Sequence, residues 1–210
     1  MKKAEDQGGA DEQAAADGAP AARRRAPRRG AAEPAGNGTE PWLAKLEKAE
    51  ALAADGSHAD AADAFQAVVT ASPDNLRALL GLANALFAQG KYDGAEKELR
   101  RAQKLAAEDP EVHYQLGQTL YKKGVYAAAA TALRRAVELA PDHGAAYLVL
   151  GEALNQMADS DGAIEVLEEA VRLQPDSTKA YYAMGIAYDR KGNFDRAAEM
   201  YRLSREAPKS

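Results

Sequence analysis

The sequence predicts an all-α fold: an α-solenoid of five stacked helix-turn-helix hairpins over residues 39–210, behind a disordered tail over residues 1–38. Three observations carry this. Gly56, Gly90, Gly124 and Gly192 are separated by multiples of 34 residues. No stretch beyond the tail alternates like a strand; apolar residues recur at helical spacing, broken by Gly or Pro every 15 to 20 residues or so. Composition also changes abruptly near residue 38, where Leu, Ile, Val, Phe, Tyr and Trp first become available.

The tail consists largely of Ala, Gly, Pro, acids and Arg. Such a segment buries too little apolar surface to offset its conformational entropy, so disorder is expected. Acids dominate its first 17 residues, and Arg23, Arg24, Arg25, Arg28 and Arg29 follow. Residues 1–40 hold seven basic and seven acidic side chains, so the net charge of −5 resides in the remainder. Order is expected to begin at Thr39-Glu40-Pro41-Trp42, with Thr39 as a cap and Pro41 near the first turn.

Four further series run in phase with the glycines. Small residues stand at Ala61, Ala95, Ala129, Ala163 and Ala197, and bulky ones at Phe65, Leu99, Leu133, Leu167 and Tyr201. Leu52, Leu86, Leu120, Leu154 and Tyr188 precede the glycine series, and Ala49, Ala83, Gly117, Gly151 and Gly185 form another small set. Each unit then reads as a first helix ending at a left-handed glycine, followed by a second helix. Small residues at matching heights let backbones approach while large neighbours interlock. One hairpin cannot bury its own apolar stripe, so neighbours stack. Pro73, Pro141 and Pro175 close three units, and the Asp after each is expected to cap the next helix. The fourth unit has Ala158 and Ser160 in place of the glycine and the aromatic, which predicts a looser turn.

This pattern resembles the tetratricopeptide repeat. The third unit carries it best, with His113, Leu116, Gly117, Leu120, Gly124, Tyr126, Ala129, Leu133, Ala136 and Pro141 in the family's order of large, small, glycine, aromatic and proline positions. The units are 42–75, 76–109, 110–143, 144–177 and 178–210. The second lacks the closing proline, with Ala107 there and Pro110 displaced, and Lys45 and Lys48 of the first stand where later units are apolar.

The resemblance implies a right-handed superhelix whose first helices line a concave face, and a non-catalytic adaptor or scaffold that binds a peptide or helix of another protein in that groove. The groove-facing places it implies are Arg77, Leu80, Asn84 and Phe87, then Glu111, Tyr114, Gln118 and Tyr121. The fourth unit supplies Ala145, Leu148, Glu152 and Asn155, and the fifth Lys179, Tyr182, Ile186 and Asp189. Some members grip a C-terminal carboxylate with a Lys, Asn and Arg register; here the first unit has Leu46 and Glu50 instead, which disfavours that activity.

Chemistry is not expected. His58, His113 and His143 form no metal-binding array and read as packing residues; Glu168-Glu169 reads as a solvated face. There is no GxxxxGK[ST] loop, and no cysteine, hence no disulfide or thiolate metal site. No cofactor or metal is expected, and no catalytic residue. The arginines of the tail are the one candidate for phosphate contact, but flanking acids and the lack of interleaved aromatics make nucleic acid the weaker expectation. A dedicated chaperone for a secreted or assembled subunit, or a nucleic-acid-associated regulator using the tail, are the alternatives to the scaffold. No apolar stretch follows Lys2 and Lys3 and no long apolar run occurs, so a cytoplasmic, bacterial protein without a transmembrane segment is expected. The chain ends soon after Ser204, leaving Ala197, Ala198, Tyr201 and Leu203 without a covering helix; self-association through the C-terminal repeat is therefore expected.

Overall fold

The computed structural model describes residues 42–207. The tail with its arginines, and Thr39, lie outside the described residues. Ten helices follow one another: α1 (Leu43–Ala54), α2 (His58–Ala71), α3 (Leu76–Ala88), α4 (Tyr92–Leu105), α5 (Pro110–Lys122), α6 (Tyr126–Leu139), α7 (Gly144–Gln156), α8 (Ser160–Leu173), α9 (Thr178–Arg190) and α10 (Phe194–Glu206). Among the described residues there is no strand. Each odd-numbered helix packs on the even-numbered helix after it, and each even one packs on the next odd one.

The turn inside each hairpin is the same in all five. Gly56, Gly90, Gly124 and Gly192 have φ between +73° and +80°. The amide after each reaches back to close the helix, as in Lys91 N–H to Leu86 O at 2.9 Å and Val125 N–H to Leu120 O at 3.0 Å. The looser turn expected in the fourth unit is not found. Ala158 adopts φ +61°, and Asp159 N–H still donates to Leu154 O at 3.0 Å. The flanking helices thus hold an alanine in a conformation that costs an L-residue with a Cβ roughly 1–2 kcal/mol. Ala158→Gly is expected to raise stability by about 1 kcal/mol, read as a higher urea midpoint with an unchanged slope; a lower midpoint would contradict this account of the turn.

The junctions between hairpins correct the capping expectation. Pro73-Asp74, Pro141-Asp142 and Pro175-Asp176 are not caps but the middle of tight turns, closed by Asn75 N–H to Ser72 O (3.2 Å), His143 N–H to Ala140 O (3.1 Å) and Ser177 N–H to Gln174 O (3.0 Å). Proline suits the second position of such a turn because its φ is already set. The capping side chain comes one residue later: Asn75 accepts from Ala78 N–H, His143 Nδ1 from Ala146 N–H and Ser177 from Ala180 N–H. Where the closing proline is missing, Asp109 caps α5 and Pro110 occupies its first turn.

Small residues mark the close crossings. A Cβ on Gly117 would lie 2.5 Å from Leu133 Cγ, one on Gly151 2.5 Å from Leu167 Cδ2, and one on Gly185 2.6 Å from Tyr201 Cδ1. Ala129 and Ala163 are fully buried at neighbouring heights. Phe65 is longer than the leucines of its series, and its ring overlies Gly81 of the next hairpin. In α10, Ala197 is buried and Tyr201 lies over Gly185, so both face α9. Of the four apolar residues expected on an open flank, Ala198 is exposed and Leu203 half-buried.

Candidate functional site

Successive odd-numbered helices touch one another: α1 with α3, α3 with α5, α5 with α7, and α7 with α9. No pair of successive even-numbered helices does so among the described residues. The odd helices therefore crowd to the inside of the curve, and their free faces form its concave wall.

The candidate residues do not behave alike along this wall. In α3, Arg77 is exposed and pairs with Glu50 of α1 at 2.7 Å, Asn84 is exposed, Leu80 packs on the core, and Phe87 meets Tyr92 edge-on at 5.4 Å. In α5, Glu111 accepts from Gln115 and lies 3.7 Å from His143 Nε2. Tyr114 stands 4.5 Å from the His143 ring, its hydroxyl accepting from Gln118 at 3.2 Å. Burial, with Glu111 beside it, raises the Tyr114 pKa. Tyr121 sits 5.8 Å from Tyr126.

In α7, Ala145, Leu148 and Glu152 are half-buried and Asn155 is only 4% exposed. Asn155 Nδ2 donates to Ala183 O of α9 at 2.9 Å, and Arg190 donates to the Asn155 carbonyl. Because Ala183 O can only accept, the amide orientation is fixed and Asn155 Oδ1 is left buried without a donor. Burial raises the Glu152 pKa, with Lys122 and Lys179 pulling the other way, and burial followed by Glu152 raises that of Tyr121. In α9, Lys179 is exposed, Tyr182 is 56% exposed and Ile186 half-buried. Asp189 is engaged by the Tyr201 hydroxyl at 2.7 Å; burial and this bond push the Tyr201 pKa up to about 12.

Two hollows open on this wall. One, of about 420 Å³, lies between α7 and α9 and is lined by Tyr121, Glu152, Asn155, Tyr182 and Ile186 among others. The second, of about 470 Å³, is lined by Tyr114, Gln118, Leu148 and Ala145 and shares Tyr121, Glu152 and Lys179 with the first. Ten candidates from α5, α7 and α9 thus share one continuous trough. Arg77, Leu80, Asn84, Phe87, Glu111 and Asp189 lie outside it. Sequence reasoning did not name Lys122, Thr178, Arg190 or Ser204, which complete the walls. Lys122 and Arg190 end their first helices, Thr178 begins one and Ser204 stands on a second helix, all outside the four places read in each first helix. Among the described residues no cluster of His, Cys, Asp or Glu is arranged to hold a metal ion, and no helix is long and apolar enough to cross a membrane.

One model of the tetratricopeptide repeat matches residues 52–118, and a second matches 10–75, 114–178 and 155–210. A search of the curated proteins gave no match. Among solved structures, a crystal structure of MamA is 29% identical with a TM-score of 0.71, covering 76% of this chain and 93% of that one. MamA 41-end from Desulfovibrio magneticus RS-1 is 24% identical with a TM-score of 0.75, covering 80% and 96%. YrrB, described as a TPR protein with an unusual peptide-binding site, is 23% identical with a TM-score of 0.68, covering 77% and 84%.

Proposed function

Because the chain belongs to the tetratricopeptide repeat family, we propose that it is a non-catalytic scaffold which binds a peptide or helix of a partner protein along the concave trough of α5, α7 and α9. Members of this family are typically protein-interaction modules rather than enzymes, and the coarse assignment, a protein-interaction scaffold, follows from membership alone. The single observation supporting the finer one is the trough itself. Tyr114, Tyr121, Leu148, Tyr182 and Ile186 gather there, interspersed with Gln118, Glu152 and Lys179. Apolar and aromatic side chains with a few polar groups between them suit an extended chain or an amphipathic helix, whose anchors enter hollows while its polar edges meet amides and carboxylates. A cytoplasmic location is part of the same reading.

A random dodecapeptide library selected against the full-length protein tests it. Enriched peptides are expected to compete with one another for one site. Enrichment of nothing, or of peptides whose binding needs residues 1–38, would overturn the reading, the second in favour of a regulator working through its arginine-rich tail. A dedicated chaperone would instead show a single long partner segment winning over all short peptides.

Self-association through the fifth hairpin is a narrower proposal. Phe194 is 69% exposed, Ala198 is exposed one turn on, and Leu203, farther along α10, is half-buried. The ion pairs Arg196–Glu199 (3.0 Å) and Arg202–Glu206 (2.9 Å) keep much of α10 polar, so the association is expected to be weak. Sedimentation from micromolar concentration upward should reveal it, and Leu203→Glu should abolish it; a monomer throughout, in both proteins, would eliminate the idea.

A further inference from the structure

The hollow between α7 and α9 carries two acceptors and too few donors. Glu152 is half-buried, yet among the described residues no cation stands within 4.0 Å of its carboxylate. Lys122 and Lys179 favour its charged form only from farther away, and the neutral Tyr121 hydroxyl donates a hydrogen bond to it without supplying a counter-charge. Asn155 Oδ1, buried in the wall of the same hollow, has no donor at all. A partly desolvated carboxylate without a counter-ion and a buried acceptor without a donor both weaken the fold, since each loses water without replacement. The places equivalent to 152 in α1, α3, α5 and α9 are Glu50, Asn84, Gln118 and Ile186; the other carboxylate among them, Glu50, is paired with Arg77 at 2.7 Å, whereas Glu152 has no such cation. Two aromatic residues, Tyr121 and Tyr182, line the same hollow as the carboxylate. The Tyr121 ring already attracts one cation, with Lys122 Nζ 5.8 Å from its centroid.

We propose that this hollow seats a lysine or arginine side chain of the partner peptide, with the Glu152 carboxylate as its counter-ion and the Tyr121 and Tyr182 rings as its walls. This rests on the reading of the trough as a peptide groove and names the chemistry of what enters it. An ammonium group brings three N–H donors and a guanidinium five. Either brings Glu152 the charged donor that it lacks. The charge balance agrees: all of the net charge of −5 lies beyond residue 40. The hollow also has two cations of its own. Arg190 is committed to the Asn155 carbonyl. Lys179 is exposed on the rim and competes for Glu152, so it sets a cost on binding rather than a contact.

The test uses five pools of acetylated, amidated nonapeptides. The central residue is fixed as Arg, Lys, Gln, Glu or Leu, and the other positions are random. Each pool is bound to the full-length protein and its retention measured. The Arg and Lys pools are expected to be retained about tenfold above the Gln and Glu pools, a difference equivalent to about 1.4 kcal/mol. Glu152→Gln should erase that preference while leaving far-UV circular dichroism unchanged. Lys179→Ala, a change at an exposed residue, should enlarge it, which keeps the test decisive even if Glu152→Gln folds poorly. Equal retention of all pools would overturn the assignment of a basic side chain but leave the peptide groove standing. So would a preference for the Glu pool, which would point to Lys179 and Arg190 as anion ligands. So would a basic preference that Glu152→Gln does not touch. Retention of no pool would instead remove the groove reading, and this inference with it.

Discussion

Gly151→Ala is expected to destabilise the array by about 1–3 kcal/mol, although alanine is the better helix former by roughly 1 kcal/mol. The packing cost dominates because the new methyl group has nowhere to go. Its position lies 2.5 Å from Leu167 Cδ2, and Leu167 is fully buried between α7, α8 and their neighbours. Leu167→Ala alone should cost more, about 2–5 kcal/mol, as a cavity opens in the centre of the fourth hairpin. The combination is the informative variant. With Leu167 shortened, the methyl group at 151 fills space instead of colliding, so the double variant should lose less than the sum of the two single losses, with a coupling of about 1 kcal/mol or more. Equilibrium urea unfolding measures all three. Repeat arrays unfold in units that can separate, so exchange protection in α7 and α8 should be followed alongside the midpoint. Strict additivity would mean that the two helices do not meet at this height.

Tyr114→Ala combined with Tyr182→Ala is expected to weaken binding of a library-selected peptide by about 100-fold or more, since buried aromatic anchors dominate such interfaces. The two tyrosines stand on α5 and α9 at opposite ends of the trough, so their loss removes one anchor from each hollow. Tyr182 is more than half exposed, and its removal leaves the core of the fifth hairpin intact. Tyr114 packs against the His143 ring at 4.5 Å, so a modest loss of stability at the α7 cap is expected and must be separated from binding. Helical circular dichroism retained with affinity lost supports the trough. Thr131→Ala, on the exposed side of α6, is the control and should leave affinity unchanged.

The parts of the fold that repeat were legible in the sequence because the same steric demand recurs every 34 residues. A left-handed turn selects glycine, and a close crossing selects glycine or alanine, so Gly124 and Gly117 announce themselves by phase. What was not legible is compensation specific to one place. Ala158 occupies the turn conformation because its neighbours enforce it, and nothing in its own identity says so. Gly81 breaks phase only because Phe65 reaches across a junction, a size exchange visible once the two are seen together. The Pro-Asp pairs looked like caps because aspartate favours that role; the tight turn closed by the following amide moves the cap to Asn75, His143 and Ser177.

The candidate site was legible as a face and not as a set of free groups. Spacing placed Tyr114, Tyr121, Leu148 and Tyr182 on one wall, where they share the trough. Spacing has no means of showing that Arg77 is held by Glu50, that Asp189 is held by Tyr201, or that Asn155 ties α7 to α9. Those partners come from neighbouring units or from the other helix of the same hairpin. Glu152 stands out only after its neighbours are known, as a half-buried carboxylate with no cation within 4.0 Å.

The central claim is that a partner occupies the concave trough of α5, α7 and α9. Amide chemical-shift mapping of the full-length protein with a library-selected peptide tests it most directly. The account predicts perturbations concentrated on α5, α7 and α9 near Tyr114, Tyr121, Glu152 and Tyr182, with α6, α8 and residues 1–38 unmoved. Perturbations confined to α6, α8 and α10, or to the arginines of the tail, would contradict it.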